Sequence, residues 1–235
     1  MTTSVFYAPP EAVGSMLDTP AALASWDRAG SPSQNRSAAF IAEVHSIVAE
    51  QLRCALHPLA LRLDVALPGT VPLLARNDLD NYLYPLVPKL AAASGRQFAS
   101  VWARKRHAPT SSVAVGAAER IPDPGGTYSF QVRTTASSAS TAYKQQIRSQ
   151  ISMERPLPEG GVALQLAFVV GPRRAWSNLW KATIDALGPI LGRDPGAHEW
   201  NIRDGRITDL GLHCSVDPAM GDHVDIAIRA NAAGQ

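Results

Sequence analysis

The chain has 235 residues, 46% of them hydrophobic and 18% charged, which is enough apolar material for one large core or two domains and too much for global disorder. A net charge of only +2 excludes a strongly cationic tail, so any nucleic-acid site must be a local patch. Cys54 and Cys214 are far apart and form no C-x-x-C, which suits a reducing cytoplasm and argues against zinc; there is no cationic leader and no apolar run of membrane length. The expectation is a soluble, intracellular protein without a membrane partner.

Residues 1–37 contain Pro9-Pro10, Thr19-Pro20, Gly30 and Ser31-Pro32 and read as an irregular arm with short helices. Thr19 as cap, Pro20 as first helical residue and Gly30 beyond the end frame one such helix, with Trp26 as a packing anchor. Ser37 is expected to cap a longer helix bearing Phe40, Ile41, Val44, Ile47, Val48 and Leu52; His45 and His57 read as surface or capping residues. Leu61, Leu63, Val65 and Leu67 then alternate with polar residues as a half-buried strand does. Pro68-Gly69 turns the chain into Arg76-Asn77-Asp78-Leu79-Asp80-Asn81, and Pro85 and Pro88 predict that the following helix is short or broken.

Arg96, Arg104, Lys105, Arg106 and His107, with Phe98 and Trp102 between them, form the densest positive run. Two readings fit it: an edge strand protected by charge, or a strip that contacts phosphates with an aromatic available for stacking. Val113 and Val115 continue as a strand, and Ile121-Pro122-Asp123-Pro124-Gly125-Gly126 is the clearest boundary. The expected organisation is an arm at 1–37, one unit at 38–121 and another at 127–230.

The second unit opens on a strand near Tyr128–Phe130, followed by the small polar tract Thr134–Thr141, which reads as a mobile loop. Lys144 and Arg148 share a helix face, and Val162, Leu164, Leu166, Phe168 and Val170 alternate as a strand. Gly171-Pro172-Arg173-Arg174 turns into Ser177, the expected cap of a helix that buries Leu179, Ile184, Leu187 and Ile190 and whose free N–H groups suit phosphate. His198-Glu199-Trp200 lacks ligand spacing, and no nucleophile signature, Walker loop or dinucleotide fingerprint is present.

The chain says the same thing twice. In each unit a helix with an early aromatic (Phe40, Tyr143) precedes an alternating strand, an Arg-containing turn, a polar cluster ending in Asn (Asn81, Asn178) and an apolar helical stretch. A period this long means duplicated domains, not a solenoid.

At these clusters the sequence resembles the RusA family of Holliday-junction resolvases, small metal-dependent endonucleases that cut four-way DNA junctions. The family pattern is D-x-D-N opening a helix, a Lys three residues past the Asn, and a D-D pair ahead of the last two strands. Residues 127–230 resemble most of a member and 38–118 match more loosely. The first unit keeps Asp78-Leu79-Asp80-Asn81 but has Tyr84 at the Lys position and Arg104-Lys105 at the D-D pair. The second keeps Lys181 and one late carboxylate, Asp204, but has Ala175-Trp176-Ser177 in place of D-x-D. Neither unit holds a complete site.

The resemblance implies an α/β (α+β) fold of two RusA-like units, each a mixed β-sheet flanked by helices, joined as a single-chain pseudo-dimer. It implies DNA as partner and a degenerate nuclease: a DNA-binding protein, cytoplasmic and nucleoid-associated, that recognises branched, distorted or modified DNA with cutting lost or weak. Arg76, Arg104, Lys105, Arg106, Arg173, Arg174 and Lys181 are the expected phosphate contacts, with Trp102 or Trp176 to stack on a base. Binding would require no cofactor. The alternative is an active endonuclease using Mg²⁺ or Mn²⁺ at Asp78, Asp80 and Asp204, because phosphodiester hydrolysis needs several carboxylates around a hard cation. Such a composite site requires the two clusters to face each other closely. A third reading is a protein–protein interaction module that binds no nucleic acid, and further self-association is compatible with all three.

Overall fold

The two alternating segments, Leu59–Leu67 and Val162–Val170, become nine-residue strands in equivalent places of one mixed sheet. The computed structural model describes residues 3–25, 27–28, 30–151 and 155–234; Trp26 lies outside these. The elements are β1 (Phe6–Tyr7), β2 (Ser15–Met16), α1 (Pro32–Cys54), β3 (Leu59–Leu67), α2 (Leu79–Ser94), β4 (Phe98–His107), β5 (Ser112–Ala117), β6 (Arg120–Ile121), β7 (Tyr128–Thr134), α3 (Thr141–Ser149), β8 (Val162–Val170), α4 (Trp180–Asp185), α5 (Gly188–Leu191), β9 (Ile207–Val216) and β10 (Val224–Ala232). Single 3₁₀ turns cover Trp176–Leu179 and Asp204–Arg206.

The fold is α+β. β1 pairs with β6, and the other eight strands form one sheet in the order β2-β5-β3-β4-β9-β8-β10-β7. Within it, β5-β3-β4 is mirrored by β10-β8-β9. In each trio the first two strands in sequence are parallel, joined by a helical crossover, and the third returns antiparallel beside the first. Each parallel ladder also has its register irregularity one step from the strand start, at Leu59/Ala60 and at Val162/Ala163.

The register fixes how the trios meet. Aligning β3 with β8 end to end matches Leu61 with Leu164. Their partners Val101 and Leu210 then correspond, and so do the next residues, Trp102 and Gly211. Trp102 and Gly211 are themselves register partners across the antiparallel β4–β9 seam, which puts an approximate two-fold between them. A Cβ on Gly211 would lie 3.0 Å from the Trp102 ring, so only glycine leaves room for the indole at the seam.

One face of the sheet carries the core. Leu61, Leu63, Val101, Leu164, Leu166, Leu210 and Leu212 join the buried faces of the helices, including Phe40 and Val44 of α1, Leu83 and Leu86 of α2 and Tyr143 of α3, in a single cluster. On the opposite face Phe6 and Tyr7 of β1 lie near the ring of buried His213, which also meets Trp102 edge-on.

Several local expectations are corrected. α1 starts at Pro32, not after Ser37, because Ser31 is the cap: its Oγ accepts from Gln34 N and Pro32 occupies the first turn. No helix forms over the described residues between Pro20 and Gly30. α2 runs through both prolines. Pro85 has no N–H for the Asn81 carbonyl, and Ala24 N of the arm donates to that oxygen instead, at 2.8 Å. The helix expected after Ser177 is instead a 3₁₀ turn followed by the short α4 and α5, divided at Ala186-Leu187. The polar tract after β7 is tied down at its start, where Gln146 Oε1 accepts from Thr134 Oγ1 and the backbone N–H groups of Thr135 and Ala136.

Candidate functional site

The apolar stretch starting at Leu79 nucleates α2 against the sheet, and the two aspartates at its start are thereby directed at the seam between the units. Asp78 is the N-cap residue, with Asn81 Nδ2 donating to its Oδ2 at 3.2 Å. Asp80, in the first turn of α2, is 3% exposed. The preceding residue, Asn77, has φ 63°, a left-handed conformation uncommon outside glycine, and Tyr82 Oη donates to its side-chain oxygen at 3.1 Å.

The second unit meets this turn from the other side. The loop before β9 brings Gly205 against the backbone of residues 74–76 so tightly that a Cβ would lie 2.9 Å from the Ala75 carbonyl carbon. Lys105, near the end of β4, donates to Gly205 O at 2.6 Å, Arg76 O at 3.0 Å and Asn77 O at 3.1 Å, stapling the two loops together. Asp204 is thereby fixed beside the start of α2.

Lys181 of α4 projects into the gap. Its Nζ lies 2.7 Å from Asp204, 3.3 Å from Asp185 and 3.8 Å from Asp80. The last separation makes an ion pair but no hydrogen bond, and Asp80 Oδ2 is buried with no hydrogen-bond partner among the described residues. Lys144 Nζ closes the far side of Asp185 at 2.7 Å.

The electrostatics follow from this packing. Burial, reinforced by Asp204, Asp78 and Asp185 and opposed by Lys181, pushes Asp80 up to about 6. Burial and Asp204 likewise raise Asp78. Burial works against the charge on Lys181, but Asp80, Asp204 and Asp185 outweigh it and hold the ammonium well above its ordinary range. Lys105 goes the other way: burial brings it down to about 8 despite the same carboxylates.

The structure thus brings together Asp78, Asp80, Lys181 and Asp204, the residues divided between the two sequence clusters. It adds Asp185, one helical turn beyond Lys181, a spacing readable in the sequence but passed over there. Among the described residues no group of three or more His, Cys, Asp or Glu side chains is arranged to hold a metal ion. The Lys181 ammonium stands among these carboxylates and offsets part of their charge.

The other expected contacts are not gathered into one patch. Lys105 is buried and its ammonium is spent on three carbonyls, so it is a loop staple and not a phosphate contact. Arg104 and Arg106 are exposed on the opposite face of the sheet, where Arg104 pairs with Asp209 at 2.9 Å. The indole of Trp102 is buried at the seam, and Trp176 is buried against Trp180 and Phe168; neither presents a ring for stacking. Arg76 is exposed in the loop after β3, and the Arg173 side chain is 88% exposed in the corresponding loop after β8. Arg174 is half-buried and donates to Asp222 O at 2.7 Å. Lys144 and Arg148 lie beside the Trp200 ring and are paired with Asp185 and Glu199.

No protein-family model matches the chain, and no curated protein matches it. Among the described residues no helix is long and apolar enough to cross a membrane.

Proposed function

We propose that the chain is a DNA-binding protein built on a duplicated, resolvase-like scaffold, a single-chain pseudo-dimer whose strand-cutting chemistry is lost or weak. The observation that carries this reading is that neither unit holds a full acid set: Asp78 and Asp80 come from one and Asp204 from the other, and Lys105, at the place of the first unit's D-D pair, is buried with its ammonium spent on three backbone carbonyls. The RusA resemblance assigns that position to divalent-cation chemistry, which needs several carboxylates around a hard cation.

DNA as ligand is supported by the resemblance and by Arg76 and Arg173, solvent-exposed in corresponding loops after β3 and β8. Guanidinium groups in such positions hold phosphates and position a duplex without reading its sequence. Branched, distorted or modified DNA is the expected target. The test is fluorescence anisotropy with labelled duplex and four-way junction at several salt concentrations. Arg173→Glu combined with Arg174→Glu should weaken binding and flatten its salt dependence; unchanged affinity removes this loop from the interface.

A second reading, a Mg²⁺- or Mn²⁺-dependent endonuclease, is favoured by one observation: carboxylates from both units, Asp80 from one and Asp185 and Asp204 from the other, converge within 3.8 Å of a single point at Lys181 Nζ. It predicts metal-dependent nicking that Asp80→Asn abolishes.

A further inference from the structure

The approximate two-fold that relates β3 to β8 and β4 to β9 requires a counterpart to the carboxylate cluster at the other end of the seam, and this counterpart has changed character. In the two sequence clusters Asp78 and Asp80 correspond to Ala175 and Ser177, and along β4 and β9 Lys105 corresponds to Cys214. What lies there is a groove of about 880 Å³ between α2 and the loop after β8, within the range of small-molecule sites.

Its chemistry is the opposite of the cluster's. Val87, Phe98, Trp176 and Cys214 give it apolar walls, Gln97 and Ser177 supply hydrogen-bonding edges, and among the described residues lining it there is no carboxylate. Arg173 and Arg174 line it as well. Among the described residues the Arg173 guanidinium has only a 3.9 Å ion pair to Asp222, a residue nearly as exposed as itself, and Arg174 Nε is buried without a hydrogen-bond partner. An occupant that complements the groove is flat and apolar on its faces, polar at its edge and joined to an anion.

Building on the DNA-binding reading, we propose that this groove receives a nucleobase extruded from bound DNA, with Arg173 and Arg174 holding the adjoining phosphate. The loss of the carboxylates is what makes the position available: a phosphate approaching the Asp78–Asp80 end meets net negative charge, whereas at this end it meets two guanidinium groups. One cluster of the duplicated scaffold keeps its acids, and the other has become a base pocket.

The experiment uses the full chain and three labelled duplexes without divalent metal: fully paired, with a single mismatch, and with a single unpaired base. Extrusion is cheapest where pairing is already lost. Wild type should therefore bind the unpaired-base duplex roughly tenfold or more tightly than the paired one. Val216→Trp and Ala92→Trp each put an indole into the groove from an exposed position. Both should bring that ratio close to one while keeping the affinity for paired duplex and the melting temperature. Equal wild-type affinities for the three duplexes, or a preference that survives in both filled variants, would overturn the proposal. Failure to bind any duplex at low salt would instead overturn the DNA-binding reading on which it rests.

Discussion

Lys181 and Asp80 belong to opposite halves of the chain, yet the ammonium of one stands 3.8 Å from a carboxylate oxygen of the other that has no hydrogen bond among the described residues. The carboxylate is therefore buried, paired at a distance, and surrounded by other acids.

The first prediction concerns stability against pH. The folded-state value for Asp80, about 6, lies above the ordinary carboxylate value, so the folded state favours the protonated form. The stability this gives is full below about pH 4 and is lost as pH rises through 6. Asp80→Asn removes the charged form altogether. It should match wild type near pH 4 and exceed it by about 2–3 kcal/mol at pH 8. Thermal denaturation at the two pH values measures this, and a variant less stable than wild type at pH 8 would contradict the stated balance of burial over pairing.

Gly205 sets how closely the halves approach. Because an added Cβ would lie 2.9 Å from the Ala75 carbonyl carbon, Gly205→Ala must push the two loops apart. A cost of about 1–3 kcal/mol is expected, and Lys105 should lose its shared contacts with Gly205 and Arg76. Chemical denaturation gives the cost, and amide exchange at residues 74–78 should quicken locally.

The arm's contact with α2 can be tested as a coupled pair. Ala24→Pro removes the N–H that satisfies Asn81 O, a loss of about 1–3 kcal/mol. Pro85→Ala restores an N–H within the helix, so in that background Ala24→Pro should cost measurably less. Strict additivity of the two substitutions would mean the arm bond does not replace the missing helix bond.

Phosphate contact should divide by face. Arg104→Glu with Arg106→Glu alters the sheet face away from the acid cluster, and should change DNA affinity and salt slope less than the Arg173→Glu, Arg174→Glu pair does. Anisotropy titrations of both double variants against one junction decide this; the reverse ranking would put the DNA on the open sheet face.

What the sequence made legible was periodic. Val162–Val170 was readable to the residue because one face of β8 is core and alternation reports that directly. The sequence landmarks shared by the two halves, an aromatic and an Asn, fall in trios of equivalent strand order, β5-β3-β4 and β10-β8-β9. α2 was not readable, because the group that compensates for Pro85 comes from Ala24, remote in sequence. The acid cluster was visible only as two fragments: Asp78 and Asp80 lie in one unit and Lys181, Asp185 and Asp204 in the other, and nothing in the sequence spacing states that β4 and β9 pair. The basic run at 104–106 misled for a related reason. In a strand, successive side chains take opposite faces, so Lys105 went to the buried staple while Arg104 and Arg106 went to solvent.

The most direct test of the central claim is an anisotropy titration of a labelled four-way junction and a duplex at two salt concentrations without divalent metal, followed by Mn²⁺ addition and denaturing electrophoresis of the bound DNA. Salt-steep binding with both strands intact is the predicted result. Absence of binding at low salt, or nicking that Asp80→Asn abolishes, would contradict it.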